Sequence, residues 1–176
     1  MINIDKLVKK AQKGNDKAFL KLFKFYEEEL YRIAYVYVKK KDDALDVIQE
    51  TAYRSFKNIK SLKNPEHFKT WVIRITINCA IDHIRKNKKV VHLTEGYEEF
   101  IGDYDEDIPL KLTINELLDK LNTDEKSTII LKYYNGYTFK QISEILDIPL
   151  GTAKSILYRA LKKLRYEYSK GEDISE

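Results

Sequence analysis

Apolar positions recur along most of the chain at spacings of three and four, the period of an α-helix with one buried face, and no stretch alternates as a strand would. The N-terminal half predicts a long helix capped by Asp16 and ending at Lys39, with Phe19, Leu22, Phe23, Tyr26, Leu30, Ile33, Ala34 and Tyr37 inward. A further helix, capped by Asp42 and reaching about Lys57, turns Ala44, Val47, Ile48, Thr51, Ala52 and Phe56 inward. The pattern breaks at Ser61 to Asn64. Asn64-Pro65 then restarts a helix as cap and first residue, with Phe68, Trp71, Val72, Ile75, Cys79 and Ile84 on its apolar side as far as about Lys86.

From Val90 to Pro109 the periodicity fails, and helices resume at Leu112 to Leu121 and from a cap at Asn122-Thr123 through Tyr134, ended by Gly136. Thr138 to Arg165 then reads as two amphipathic helices about the short turn Leu146-Asp147-Ile148-Pro149, a helix-turn-helix. Thr138 with Gln141 forms a capping box, and Pro149 suits a first helical residue, where its missing N–H is tolerated. In the second helix Ala153, Ile156, Leu157, Ala160, Leu161 and Leu164 make one buried stripe. Thr152, Lys154, Ser155, Tyr158, Arg159, Lys162 and Lys163 are left outward, a face with donors for phosphates and base edges and without an acid. Lysine and arginine on the wet side of an ordinary surface helix would look similar, but the sharp turn and the bare Gly151 favour a helix presented to DNA.

Charge divides the chain more sharply than its net of +4 suggests. Residues 1–90 carry 21 basic and 11 acidic side chains, residues 91–110 carry 7 acids and no base, and residues 111–176 carry 11 and 10. Two helical bodies joined by an acidic tether follow from this, an all-α architecture of two small domains at 1–89 and 111–176 with the linker at 90–110. No apolar run approaches a membrane span, and the first residues lack the core of a secretory signal, so a cytoplasmic protein with no direct membrane insertion is expected. The single Cys79 and the scattered His67, His83 and His92 make no metal-ligand spacing. Neither a metal nor another cofactor is expected, and no Gly-rich phosphate loop or nucleophile with its base supports an enzyme.

Three ordered motifs carry a family resemblance: D-A-L-D-V-I-Q-E-T at 43–51, F-K-T-W-V-I-R-I-T-I-N-C-A-I-D-H-I-R at 68–85, and the segment 131–160 that holds the helix-turn-helix. With this order and spacing the chain resembles the extracytoplasmic-function class of bacterial sigma-70-family sigma factors, and K-N-P-E-H-F-K-T-W is similar to envelope-stress members related to sigma-V. The resemblance implies a non-catalytic initiation factor that binds core RNA polymerase and directs it to promoter DNA, commonly restrained by a membrane-bound anti-sigma factor in a stress response. Its N-terminal domain, like region 2, would grip the polymerase clamp helices through Asp43, Asp46, Gln49 and Glu50, which share an outward face with Tyr53. A merely solvated face is the plain alternative.

Minus-10 recognition and melting would fall to the Ser61–His67 loop, with Ser61, Lys63, Asn64 and His67, and to Arg74, Asn78 and Arg85 on the following helix. Trp71 and Asp82 share that helical stripe, although Trp71 is expected in the core. Cations for the backbone, apolar groups for unstacked bases and amides for a base edge are the chemistry that strand opening needs. The C-terminal domain, like region 4, would sit on the polymerase flap and read the minus-35 element through Thr152, Lys154, Ser155, Tyr158, Arg159 and Lys162. Two departures stand out: Lys154 where many relatives have arginine, and Asn122-Thr123 where the family usually shows proline. By the same resemblance the acidic linker would thread toward the RNA exit path. The competing reading is a free-standing helix-turn-helix regulator, which would lack a dimerisation helix to match a palindromic operator.

Overall fold

A computed structural model describes residues 3–91, 114 and 116–172, with no strand among them. The chain divides into two compact units, Met1–Leu93 and Thr94–Glu176. The expected acidic linker lies almost wholly outside the described residues.

In the first unit α1 (Ile4–Gln12) is capped by Asn3 and buries Val8 and Ala11. It ends at Gly14, whose φ of 87° suits a residue without a Cβ. The long α2 (Asp16–Val38) carries all eight residues expected on its inner face; seven are buried and Tyr26 is half-buried. Its cap is Asn15, not Asp16: the Asn15 side chain accepts from the Ala18 N–H at 2.9 Å, which puts Asp16 inside the first turn, where its charge favours the helix dipole.

Helix α3 (Lys41–Asn58) likewise starts one residue before the expected Asp42 cap, with Lys40 at the cap and no side-chain bond there. Phe56, expected inward, is 45% exposed because Ser55 takes the buried position, although its ring still meets Phe19 edge-on at 5.1 Å. Two 3-10 turns, Ile59–Ser61 and Pro65–His67, lead into α4 (Phe68–Val91), which continues past Lys86. Asn64 caps the second turn by accepting from the Glu66 N–H at 3.1 Å. Helices α2, α3 and α4 pack on one another. Squeezed between the other two, α4 buries Ile73, Thr76, Ile77 and Ala80 beyond the expected stripe, while Trp71, Ile75 and Ile84 are only half-buried.

The second unit contains α5 (Thr123–Ile129), prolonged by a π-helical turn Ile130–Tyr134, then α6 (Phe139–Leu146) and α7 (Leu150–Glu172). Asn122 and Glu125 close a reciprocal capping box, and Gly136 lies in the left-handed region at φ 71° after the π turn. Leu121, Ile129, Leu157 and Ala160 form a core cluster, flanked by Leu118, Phe139, Leu161 and Leu164. Burial of such a stripe, worth about 25 cal/mol per Å² of apolar surface, fixes which face of α7 remains outside.

Candidate promoter and polymerase contact sites

The helix-turn-helix forms as its caps require. Thr138 Oγ1 accepts from the Gln141 N–H at 3.3 Å, and the Gln141 side chain accepts from the Thr138 N–H at 2.9 Å. Helix α6 ends at Asp147, left-handed at φ 57°, a conformation that a short polar side chain tolerates better than a branched one. Its Ile148 N–H donates to the Ser143 carbonyl at 3.1 Å and fixes the turn. Pro149 stands one residue before α7 and not at its first position; its carbonyl accepts from the Ala153 N–H at 3.0 Å.

With Ala153, Ile156, Leu157 and Ala160 buried, all six expected minus-35 residues, Thr152, Lys154, Ser155, Tyr158, Arg159 and Lys162, are exposed. Lys163, also outward in the sequence, is exposed too, and its ammonium reaches the buried Glu125, 3.5 Å away. Lys154 Nζ lies 5.9 Å from the centre of the Phe139 ring, and Lys132 Nζ lies 5.1 Å from it, so one aromatic residue of α6 serves two cations. A Cβ at Gly151 would meet nothing within 4 Å. The fold itself therefore does not demand glycine there.

In the first unit the loop between α3 and α4 presents Ser61, Lys63, Asn64 and His67 at the surface. Ser61 Oγ donates to the Asn58 carbonyl at 2.7 Å, and the Thr70 hydroxyl donates to the His67 carbonyl at 3.1 Å. On α4, Asn78 and Arg85 are exposed and Arg74 is half-buried. Trp71 is half-buried with its ring 5.8 Å from that of Phe68, a position at the rim of the core and not within it. Asp82 is drawn off the stripe: it accepts from Arg54 at 2.9 Å across the α3–α4 interface.

That same interface revises the acidic face of α3. Asp46 and Gln49 are exposed beside Tyr53, but Asp43 is turned toward α4, where His83 Nε2 lies 3.2 Å from its Oδ1. Glu50 accepts from Arg54 Nε at 2.6 Å. Asp43 and Glu50 thus belong to the margin of the face expected to meet polymerase. The His83 partner of Asp43 sits on the next helix, which periodicity does not reveal, whereas Glu50–Arg54 is an ordinary pair four residues apart on one helix. Hydrogen bonds to Asp82 and Glu50 hold the Arg54 guanidinium above its ordinary range, whereas burial pushes the nearby Cys79 thiol up.

Two small helical units, the second ending in an acid-free basic face behind a helix-turn-helix, define a nucleic-acid-binding protein of the transcription-factor type. Residues 22–90 match the family model for Sigma-70 region 2, and residues 111–164 match that for Sigma-70, region 4. The chain is 36% identical over 150 residues to RNA polymerase sigma factor SigV of Bacillus subtilis, covering 85% of this chain and 90% of the relative. It is 33% identical to the ECF RNA polymerase sigma factor SigW of the same species, covering 92% and 95%. In fold it is similar to the solved structure of CnrH in complex with the cytosolic domain of CnrY, at TM-score 0.71 and 21% identity over 95% of this chain and 97% of that one. It is also similar to sigma factor RpoE in complex with the anti-sigma factor NepR from Bartonella quintana, at TM-score 0.66 and 24% identity over 85% and 96%. The chain belongs to the extracytoplasmic-function class of RNA polymerase sigma factors.

Proposed function

We propose that the chain works as a dissociable specificity subunit, without catalysis of its own, that docks on core polymerase chiefly through Asp46 and Gln49 of α3, with Asp43 and Glu50 at the edge. The clamp helices of the polymerase would take that face, and the flap would take the second unit. Minus-10 reading is assigned to Ser61, Lys63, Asn64 and His67 in the loop and to Arg74, Asn78 and Arg85 on α4. Minus-35 reading is assigned to Thr152, Lys154, Ser155, Tyr158, Arg159 and Lys162. The domain division at 1–89, 90–110 and 111–176 belongs to the same reading.

One observation carries it: from Thr152 to Lys162 the exposed face of α7 presents hydroxyls, two lysines, a tyrosine and an arginine, while Ala153, Ile156, Leu157 and Ala160 on the opposite face are buried. An arginine fork can engage two acceptors on a guanine edge, and ammonium groups neutralise phosphates. The open space at Gly151 leaves room for a partner outside the fold. Duplex opening would be driven by capture of unstacked bases against the loop and α4, once polymerase holds the flanking duplex.

A membrane-bound anti-sigma factor is the proposed regulator: RpoE of this fold was seen with an anti-sigma factor, and CnrH with the cytosolic domain of CnrY, which implies a further, non-cytosolic part of CnrY. Among the described residues no helix is long and apolar enough to cross a membrane, and we assign the chain to the cytoplasm, where its polymerase would be. The test is transcription in vitro from a genomic fragment library with core polymerase and the purified chain. Start sites sharing a common pair of upstream elements are expected. Tight protection of a palindrome by the chain alone, with no promoter-specific transcript on adding core polymerase, would replace this reading by a free-standing regulator.

A further inference from the structure

The loop assigned to minus-10 reading is held from outside by α1. Gln12, the last residue of that helix, donates its two amide hydrogens in two directions, to the Leu62 carbonyl at 2.7 Å and to the Ile59 carbonyl at 3.1 Å. Ile59 and Leu62 are also joined to each other, because the Leu62 N–H donates to the Ile59 carbonyl at 3.2 Å. One planar amide therefore bridges the two ends of the turn that displays Ser61. The side chains of Ile59 and Leu62 are buried, at 3% and 7% exposure, whereas Ser61, Lys63 and Asn64 point to solvent. The backbone is pinned on the inner side while the polar side chains are exposed on the outer side, where Ser61 and Asn64 make only local bonds, to the Asn58 carbonyl and the Glu66 N–H.

Few side chains could do this. Two hydrogens on one nitrogen are a property of the carboxamides and of the larger cations, and glutamine adds no charge at a helix C-terminus beside two carbonyls. Without the amide, the Leu62 carbonyl loses the donor that α1 gives it and the Ile59 carbonyl keeps only the Leu62 N–H, so the turn is tied by its own short-range bonds alone. A loop that must order itself as it meets a base binds that base less tightly, and it separates right from wrong less well, than one already fixed.

We propose that Gln12 is a positioning residue for minus-10 recognition: it touches no nucleic acid, but it sets the Ile59–Leu62 turn so that Ser61, Lys63 and Asn64 meet an extruded base in one geometry. The inference rests on the reading of that loop given above.

The test uses holoenzyme reconstituted from core polymerase and the full-length chain, on one promoter and on templates with single substitutions in its minus-10 or minus-35 element. Strand opening is read as permanganate reactivity of unpaired thymines. Gln12→Met keeps length and shape without donors, and is expected to lower opening on the parent promoter about three- to ten-fold, the worth of one or two ordinary hydrogen bonds. It should also compress the ratio between parent and minus-10 variants, and leave the minus-35 ratio, the melting temperature of the second unit and co-purification with core enzyme unchanged. Gln12→Glu, which sets a carboxylate against two carbonyls, should lose more. Gln12→Asn, with both donors one carbon short, should fall between wild type and Gln12→Met, and it carries the same comparison if Gln12→Met does not fold. Unchanged opening, or an equal loss on every template with the minus-10 ratio intact, would overturn the proposal. The loop reading fails separately: Lys63→Ala and Asn64→Ala would then leave the wild-type minus-10 ratio untouched.

Discussion

Arg54 on α3 donates to Asp82 on α4 at 2.9 Å while its Nε donates to Glu50 on its own helix at 2.6 Å. One guanidinium thus staples the two helices that carry the proposed polymerase face and the proposed DNA stripe. All three side chains are a third to nearly half exposed, so screening by water keeps the pairs weak. Arg54→Met is expected to cost about 0.5–1.5 kcal/mol, read as a lower thermal midpoint of the first unit. In a double-mutant cycle, Arg54→Met with Asp82→Asn should show a coupling of about 0.5–1 kcal/mol that shrinks in high salt, and additive losses would remove the staple from the stability of the unit.

Beside that staple, Cys79 is 3% exposed, and burial raises its thiol pKa above the ordinary 9.0, with the Thr51 hydroxyl and the Arg54 charge pulling the other way. The unfolded chain therefore releases this proton at a lower pH than the folded one does. Stability from the neutral thiol is complete below about pH 9 and declines as pH rises from there toward the folded value. Cys79→Ala should flatten that alkaline decline in a urea-denaturation series. In the wild type, a thiol reagent at pH 8 should react only at the rate of unfolding, and prompt labelling would contradict the buried position.

At the start of α5, Glu125 is buried, accepts from the Asn122 N–H at 3.0 Å and faces Lys163 of α7 at 3.5 Å. Its carboxylate both closes a cap and meets the positive end of a helix dipole. Glu125→Ala should lower the stability of the second unit by roughly 1–2 kcal/mol, in the range of a lost cap. Glu125→Gln, which can still accept from Asn122, should lose less. Calorimetry of the full chain checks this, since the first unit should melt unchanged.

The order of the helices from α2 through α4 and from α5 through α7, the capping box at Thr138–Gln141 and the buried stripe of α7 were legible in the sequence because each depends on residues within three or four positions, whereas α1 was not delimited and the helix expected at 112–121 lies partly outside the described residues. Helix starts were legible only to within one or two residues: Asn15 caps α2 in place of Asp16, Lys40 precedes α3 in place of Asp42, and α7 begins at Leu150 and not at Pro149. What did not show was contact between helices. Asp43 with His83, Arg54 with Asp82 and Gln12 with the Ile59–Leu62 turn join residues 28 to 50 positions apart, and amphipathic spacing assigns each only to a face. Gln12 ends a helix that the sequence did not delimit, and nothing local names its partner.

Asp46 is exposed on α3, whereas Asp43 and Glu50 already have partners within the chain. Asp46→Lys reverses a charge without breaking an internal bond described for the fold. It should leave the unfolding free energy within about 0.5 kcal/mol of wild type, as surface changes do, while reducing co-purification with core polymerase. Retention of full binding would take this face out of the interface.

Arg159 and Lys154 share the exposed face of α7 but are held differently. Lys154 lies over the Phe139 ring, which favours a fixed ammonium position suited to a phosphate, while Arg159 carries a planar fork able to reach two acceptors of a guanine. Arg159→Ala should therefore weaken binding to a matched minus-35 element by roughly 1–3 kcal/mol and relax preference at one base pair. Lys154→Ala should weaken all promoters similarly and lower the salt dependence of binding by about one phosphate contact. Measured with holoenzyme on templates substituted one base pair at a time, a uniform loss for Arg159→Ala would mark it as a second phosphate contact. Minus-35 preference would then have to come from Ser155 and Tyr158, the neighbouring exposed polar groups on the same face.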